Sequence, residues 1–287
     1  MDRSIRFKYL KHYEDLAEPS ITNDLIELNN ILIKSDINGY KGTIGDIRYT
    51  IKINPNKPRY QSNIPTGKII ETIINDSKLD FTLTIDVIDN FDKDYIISLI
   101  IHEIRHIYDI YTTTKQKHLN SFVRDLKYRL VKDKITDDRF SEFLNCIYYS
   151  LLHELVARNN QVYPLVKNKY LSKEESYTMI KTTFIYSSLQ YLENFNSEKF
   201  VNKFSNDDII RFTDIFNNTY CQSNKKIKDI NEYYHKWELF FKKIKERWFD
   251  EMYSEIDKLY ETFGSTHQII ENECTEMLKW IIINFIV

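Results

Sequence analysis

Apolar positions step by three and four through residues 95–111. Ile97, Ile100, Ile104, Ile107 and Tyr111 form one stripe, the period of an amphipathic helix. At about 100° per residue, Tyr95, Ser98, His102, His106, Asp109 and Thr113 fall on the opposite face. The pattern predicts a helix with an apolar back and a polar front. Asp92 or Asp94 can cap its start, and no proline or glycine interrupts it.

Upstream the period changes. Ile47, Tyr49, Ile51 and Ile53 alternate with Arg48, Thr50 and Lys52, and Phe81, Leu83, Ile85 and Val87 alternate with Thr82, Thr84 and Asp86. Both read as half-buried strands. In 68–75 the isoleucines at 69, 70, 73 and 74 have helical spacing although β-branched residues favour a strand; the spacing reads as a helix. Residues 20–34 read as a capped helix. Four of the five glycines and four of the five prolines fall before residue 68, so turns and strands concentrate early. Helices are predicted beyond them at about 119–133, 138–162, 172–194, 205–219, 227–262 and 266–286, with a boundary near 164–172. Tyr233, Trp237, Phe240, Phe241, Ile244, Trp248, Met252, Ile256 and Leu259 make an aromatic-rich stripe expected to pack in a core.

The polar front carries His102-Glu103-Ile104-Arg105-His106, an H-E-x-x-H sequence. Two histidines four apart on a helix share one face, one turn apart, so both imidazoles can meet one zinc ion at roughly 2.0–2.1 Å. Glu103 between them can take a proton from a water on that ion. The chemistry implied is metal-assisted hydrolysis, most often of a peptide bond.

A catalytic zinc usually takes three protein ligands. Asp109 shares the motif face, but seven residues of helix put it roughly 10 Å along the axis from His102. It reads as an acceptor for a ligand imidazole N–H, or as a polar residue near a helix end. Glu154 is the better third ligand. Ser150, Leu151, Ala157 and Arg158 share its face, and Ala157 permits close approach to the motif helix. His153, Glu142 and Asp125 are the rivals. A surface pair of Glu154 with Arg158 is the ordinary alternative. Tyr148, Tyr149, His153 and Arg158 are candidate donors to a developing oxyanion.

H-E-x-x-H followed on a later helix by Glu154-Leu-Val-Ala157 resembles the gluzincins, the thermolysin-like group of zincin metallopeptidases. The resemblance spans about residues 45–160. It implies Glu103 as general base, with His102, His106 and Glu154 as zinc ligands. It also implies a zincin-like core of a small sheet, motif helix and glutamate helix within 1–165. With the helices read beyond it, the expected fold is α+β and predominantly helical, with a helical C-terminal region, 166–287, that resembles no named family and is expected to pack on the core. Zincins hold extended substrate along an edge strand, and 81–87 is the candidate for that edge. The alternative function is a zincin-fold binding or assembly protein with an idle site, as in a phage or host-interaction protein. Another H-E-x-x-H hydrolase, peptide deformylase, lacks its glycine-rich and cysteine-bearing motifs here.

With 40 basic and 42 acidic residues and a net charge of −2, no broad field draws the chain to nucleic acid or acidic lipid. The expected partner is a peptide or protein substrate. No apolar run reaches the length of a membrane span, and the first residues lack the apolar core of a secretory signal. Cys146, Cys221 and Cys274 are widely spaced and odd in number, as for reduced thiols of a cytoplasmic protein. A virion-associated location accompanies the alternative reading.

Overall fold

The computed structural model describes residues 21–44, 47–55, 66–74, 78–87, 92–112, 138–169, 171–220 and 229–263. The predicted helices 119–133 and 266–286 lie outside them. Helix α1 (Asn23–Lys34) leads into strands β1 (Lys41–Ile44), β2 (Ile47–Pro55), β3 (Thr66–Ile74) and β4 (Lys78–Val87), and then the motif helix α2 (Lys93–Thr112). Among the described residues eight helices follow: α3 (Asp138–Tyr149), α4 (Leu152–Asn160), α5 (Val162–Lys167), α6 (Lys173–Ile180), α7 (Phe184–Asn194), α8 (Ser197–Val201), α9 (Asn206–Tyr220) and α10 (Ile230–Phe263). The described residues are therefore predominantly helical, with a small mixed sheet.

The described residues group into two compact units that do not follow chain order. One takes in the described residues within 112–156 and 186–249; the other takes in those within 21–111, 157–185 and 250–263.

The unit that contains the sheet has strand order β1-β2-β4-β3. The central pair is parallel and in matched register: Tyr49 lies beside Phe81, Ile51 beside Leu83 and Ile53 beside Ile85. Alternation puts these apolar residues on one face, where Leu25, Leu28 and Leu32 of α1 and Ile97, Ile100, Ile101, Ile104 and Ile107 of α2 join them in one core. On the other face Arg48 grips Asp80 with two hydrogen bonds, Nε to Oδ1 at 2.8 Å and Nη2 to Oδ2 at 3.1 Å. Back on the apolar face, the Tyr49 ring packs over Gly42 of β1, where a Cβ would stand 2.3 Å from its tip, so any larger residue there would have to displace the ring.

Two readings of this region are corrected. Residues 68–75 do not form a helix: β3 pairs antiparallel with β4, from Thr66 opposite Asp86 to Ile74 opposite Lys78. Its β-branched residues outweigh a helical spacing that consecutive isoleucines satisfy by accident. Nor is 81–87 an edge. β4 lies between β2 and β3, so the edges are β1 and β3.

In the other unit, aromatic residues dominate. Phe140 and Phe212 stack with centroids 3.9 Å apart, and Phe143 meets Tyr234 edge to face at 5.1 Å. Trp237, Phe240, Phe241, Ile244 and Trp248 of α10 belong to the same core, as the stripe predicted. Glu238 of α10 accepts from Ser197 N (3.0 Å) and Ser197 Oγ (2.7 Å) at the start of α8, and from Lys242 Nζ (2.7 Å). Burial opposes its ionisation, but these donors prevail and hold its pKa down at about 2.

The single helix predicted at 138–162 is divided. Ser150 Oγ donates to Ile147 O at 2.8 Å, and Leu151 N turns to Tyr148 O at 3.1 Å, which ends α3 before α4 begins. A hydroxyl that bonds the preceding turn competes with the helix for its carbonyls. Thr182 and Thr183, donating to Met179 O and Ile180 O, split 172–194 into α6 and α7 in the same way. Among the described residues no helix is long and apolar enough to cross a membrane. Cys146 is a free, buried thiol whose pKa burial pushes up; Cys221 and Cys274 lie outside the described residues.

Candidate metal centre

The motif occupies the middle of α2. Of the two capping candidates, Asp92 precedes the helix and accepts from Asp94 N at 3.0 Å. Burial alone would raise the Asp92 pKa, but the Lys169 ammonium at 2.7 Å and the Asp94 N–H hold it below the ordinary value. Four of the five residues of the apolar back, Ile97, Ile100, Ile104 and Ile107, are inaccessible to solvent, and the Tyr111 side chain lies outside the described residues. Part of the polar front is covered as well. Ser98 is fully buried, its Oγ donating to Tyr95 O at 2.7 Å, and His102 is 9% exposed. Burial also pushes the Tyr95 phenol pKa upward, so it stays a neutral hydroxyl.

The two imidazoles converge. His102 Nε2 and His106 Nε2 are 3.1 Å apart, and the rings stand at 89° with centroids 4.7 Å apart. Two nitrogens at 2.0–2.1 Å from a tetrahedral ion lie roughly 3.3 Å from each other, close to the observed spacing. Glu154 completes the group: one ligand atom from each of His102, His106 and Glu154 lies within 4.8 Å of the others, with His102 and Glu154 buried and His106 partly so. Two imidazoles and a carboxylate are a donor set suited to zinc, and a small shift of the carboxylate would draw it to ligand distance.

Glu154 rides on an unusual helix. Every residue from Leu151 to Val166 is buried, although α4 includes His153, Glu154, Arg158, Asn159 and Asn160. Taking a carboxylate or guanidinium out of water costs several kcal/mol unless partners or a metal compensate. Such burial of charged and amide side chains is not explained by hydrophobic packing alone.

The other candidates divide. His153 is buried with Nε2 3.7 Å from Glu154 Oε1, but it is outside the three-ligand group. Glu142, another rival, pairs with Lys203; Asp125 lies outside the described residues. Arg158 is no surface partner: it is 3% exposed, with its guanidinium 5.7 Å over the Phe184 ring. Tyr149 is half-buried among Tyr148 and Tyr191, at 5.7 and 5.5 Å between centroids. Glu103 is half-buried. The side chain of Asp109 lies outside the described residues.

Sequence reasoning passed over Arg105 and Asn160. Arg105 is almost wholly buried, donates Nη1 to Asn160 Oδ1 at 3.1 Å and lies 5.6 Å from the Tyr108 ring centroid. A strong cation beside the ligand face of a helix was the available signal. Gln161, just past α4, similarly donates to Ser98 Oγ at 3.5 Å.

The fold and site thus define a mostly helical α+β protein with a buried His–His–Glu cluster that can hold a metal ion. Compared with known protein families, curated proteins and solved structures, the chain matches none.

Proposed function

We propose that this protein is a zinc-dependent metallopeptidase of gluzincin type, with His102, His106 and Glu154 as ligands and Glu103 as general base. The observation that carries the reading is the three-residue cluster, in which a carboxylate 48 residues beyond His106 meets both motif imidazoles. When bound, zinc supplies Lewis acidity, acidifying water towards a pKa of about 7 and polarising a carbonyl. Glu103 accepts the proton of the attacking water and passes it to the departing amine. His102 and His106 present Nε2 lone pairs, so each carries its ring proton on Nδ1. Of the candidate donors to a developing oxyanion, His153 and Arg158 lie on α4, both buried. With β4 interior, an edge strand that holds extended substrate would be β1 or β3 in this reading.

Metal analysis of protein purified without added zinc tests the proposal, together with hydrolysis of a mixed peptide library by the native protein and by Glu103→Gln. One zinc per chain, peptide cleavage by native protein, and a zinc-loaded but inactive Glu103→Gln are expected. The base is worth about 10²–10⁴ in rate. A native protein that stays empty when zinc is supplied would sink the proposal and favour an idle binding fold.

A further inference from the structure

Arg105 stands inside the motif, one residue before His106, and is 1% exposed. A guanidinium so fully removed from water needs acceptors, and one of them is Asn160 Oδ1 at 3.1 Å. Asn160 is the last residue of α4, the helix that carries Glu154. Along α4 the residues Glu154, Ala157 and Asn160 are three apart, and each step turns about 60° backwards around the axis. Ala157, fully buried, is therefore midway, with Glu154 on one flank and Asn160 on the other.

We infer that Arg105 is a positioning residue for the metal centre: its hydrogen bond to Asn160 fixes the rotation of α4 and so aims the Glu154 carboxylate at His102 and His106. The inference rests on the zinc reading. Turning α4 about its axis moves Glu154 and Asn160 together, so withdrawing the carboxylate on one flank breaks the Arg105 bond on the other. The planar guanidinium holds a fixed donor geometry, and the Tyr108 ring, 5.6 Å away, limits its alternatives. Gln161 donating to Ser98 at 3.5 Å adds a second tie one residue later.

The test compares Asn160→Ala, Asn160→Ser and Asn160→Asp with native protein. Zinc affinity is read by competition with a chromophoric chelator, and coordination geometry by the visible spectrum of the cobalt(II) form. Asn160→Ala is expected to bind zinc 10–100-fold more weakly and to show an altered cobalt spectrum at saturation. Asn160→Asp, which still offers Arg105 an oxygen, is expected to restore both. Native affinity and a native spectrum in Asn160→Ala would overturn the inference, whatever happens to the melting temperature of the zinc-free protein. Should Asn160→Ala not fold, Asn160→Ser is expected to bind more weakly than Asn160→Asp, and equal affinities would overturn it. Native protein that binds neither ion would overturn the zinc reading itself; native zinc binding indifferent to Asn160 overturns this inference alone.

Discussion

Under the proposed function, replacing Glu154 would separate the stability of the fold from the stability that bound zinc would add. The carboxylate is 5% exposed and is held against two imidazoles and beside His153. Without metal, a buried carboxylate is a cost of several kcal/mol that its neighbours only offset. Glu154→Gln should therefore leave the melting temperature of zinc-free protein unchanged or raise it, unlike a typical core substitution. Zinc reverses the order. At free zinc about 100 times Kd, a ligand bound only by the folded state adds ~2.7 kcal/mol. That is about 5–11 °C for a cooperative unit of 150–250 residues. Losing one ligand of three and weakening zinc at least ~100-fold would leave no more than ~0.4 kcal/mol at the same concentration, under about 2 °C. Calorimetric melts of native protein, Glu154→Ala and Glu154→Gln, each with chelator and with zinc, measure both halves. Glu154→Gln should retain more of the shift than Glu154→Ala, because an amide oxygen still approaches the ion. A full zinc shift in Glu154→Ala, alongside its loss in His106→Ala, would refute the assignment: a zinc site would exist with another third ligand.

His106→Ala should lose stoichiometric zinc by metal analysis while keeping its circular dichroism, since the isoleucine back of α2 is untouched. Ile104→Ala should instead destabilise the zinc-free protein by about 2–5 kcal/mol in denaturant titration, because the side chain is fully buried in the core beneath the sheet. Glu238, ordinarily titrating near 4.5, is held down at about 2 in the folded state, so its contribution is complete above about pH 4.5 and disappears as pH falls towards 2. Glu238→Gln should be less stable than native at pH 7 by about 1–3 kcal/mol, with the difference shrinking through that acid window; a difference independent of pH would show that the charge is not what Ser197 and Lys242 recognise.

Much of the site was written in short-range pattern. The isoleucine stripe and the two histidines of α2 are separated by helical steps, so one period locates both the back of the helix and its candidate ligands. Glu154 could be picked out because Ala157 lies one turn beyond it. The strands β2 and β4 alternate cleanly, but alternation says nothing about order in a sheet, which is why β4 was read as an edge. In β3, Ile69, Ile70, Ile73 and Ile74 satisfy two periods at once, and strand pairing chose between them. The breaks at Ser150 and at Thr182–Thr183 depend on single hydroxyl bonds within one turn. The Arg105–Asn160 bond joins residues 55 positions apart, and nothing local specifies it. The burial of α4 was the least accessible feature: a segment with His153, Glu154, Arg158, Asn159 and Asn160 reads as half solvent-facing until the elements around it are in place.

That burial has a consequence for how the molecule breathes. Amide protons exchange with solvent through local fraying where a helix has an open side, and α4 has none. Its protons should escape only through the largest opening events, on the slowest timescale in the chain. The proposed ligand carboxylate is then anchored in a segment expected to open last among the described residues. Metal loss and metal exchange would be governed by side-chain rotation at His106, the partly exposed imidazole, while the backbone beneath Glu154 stays shut.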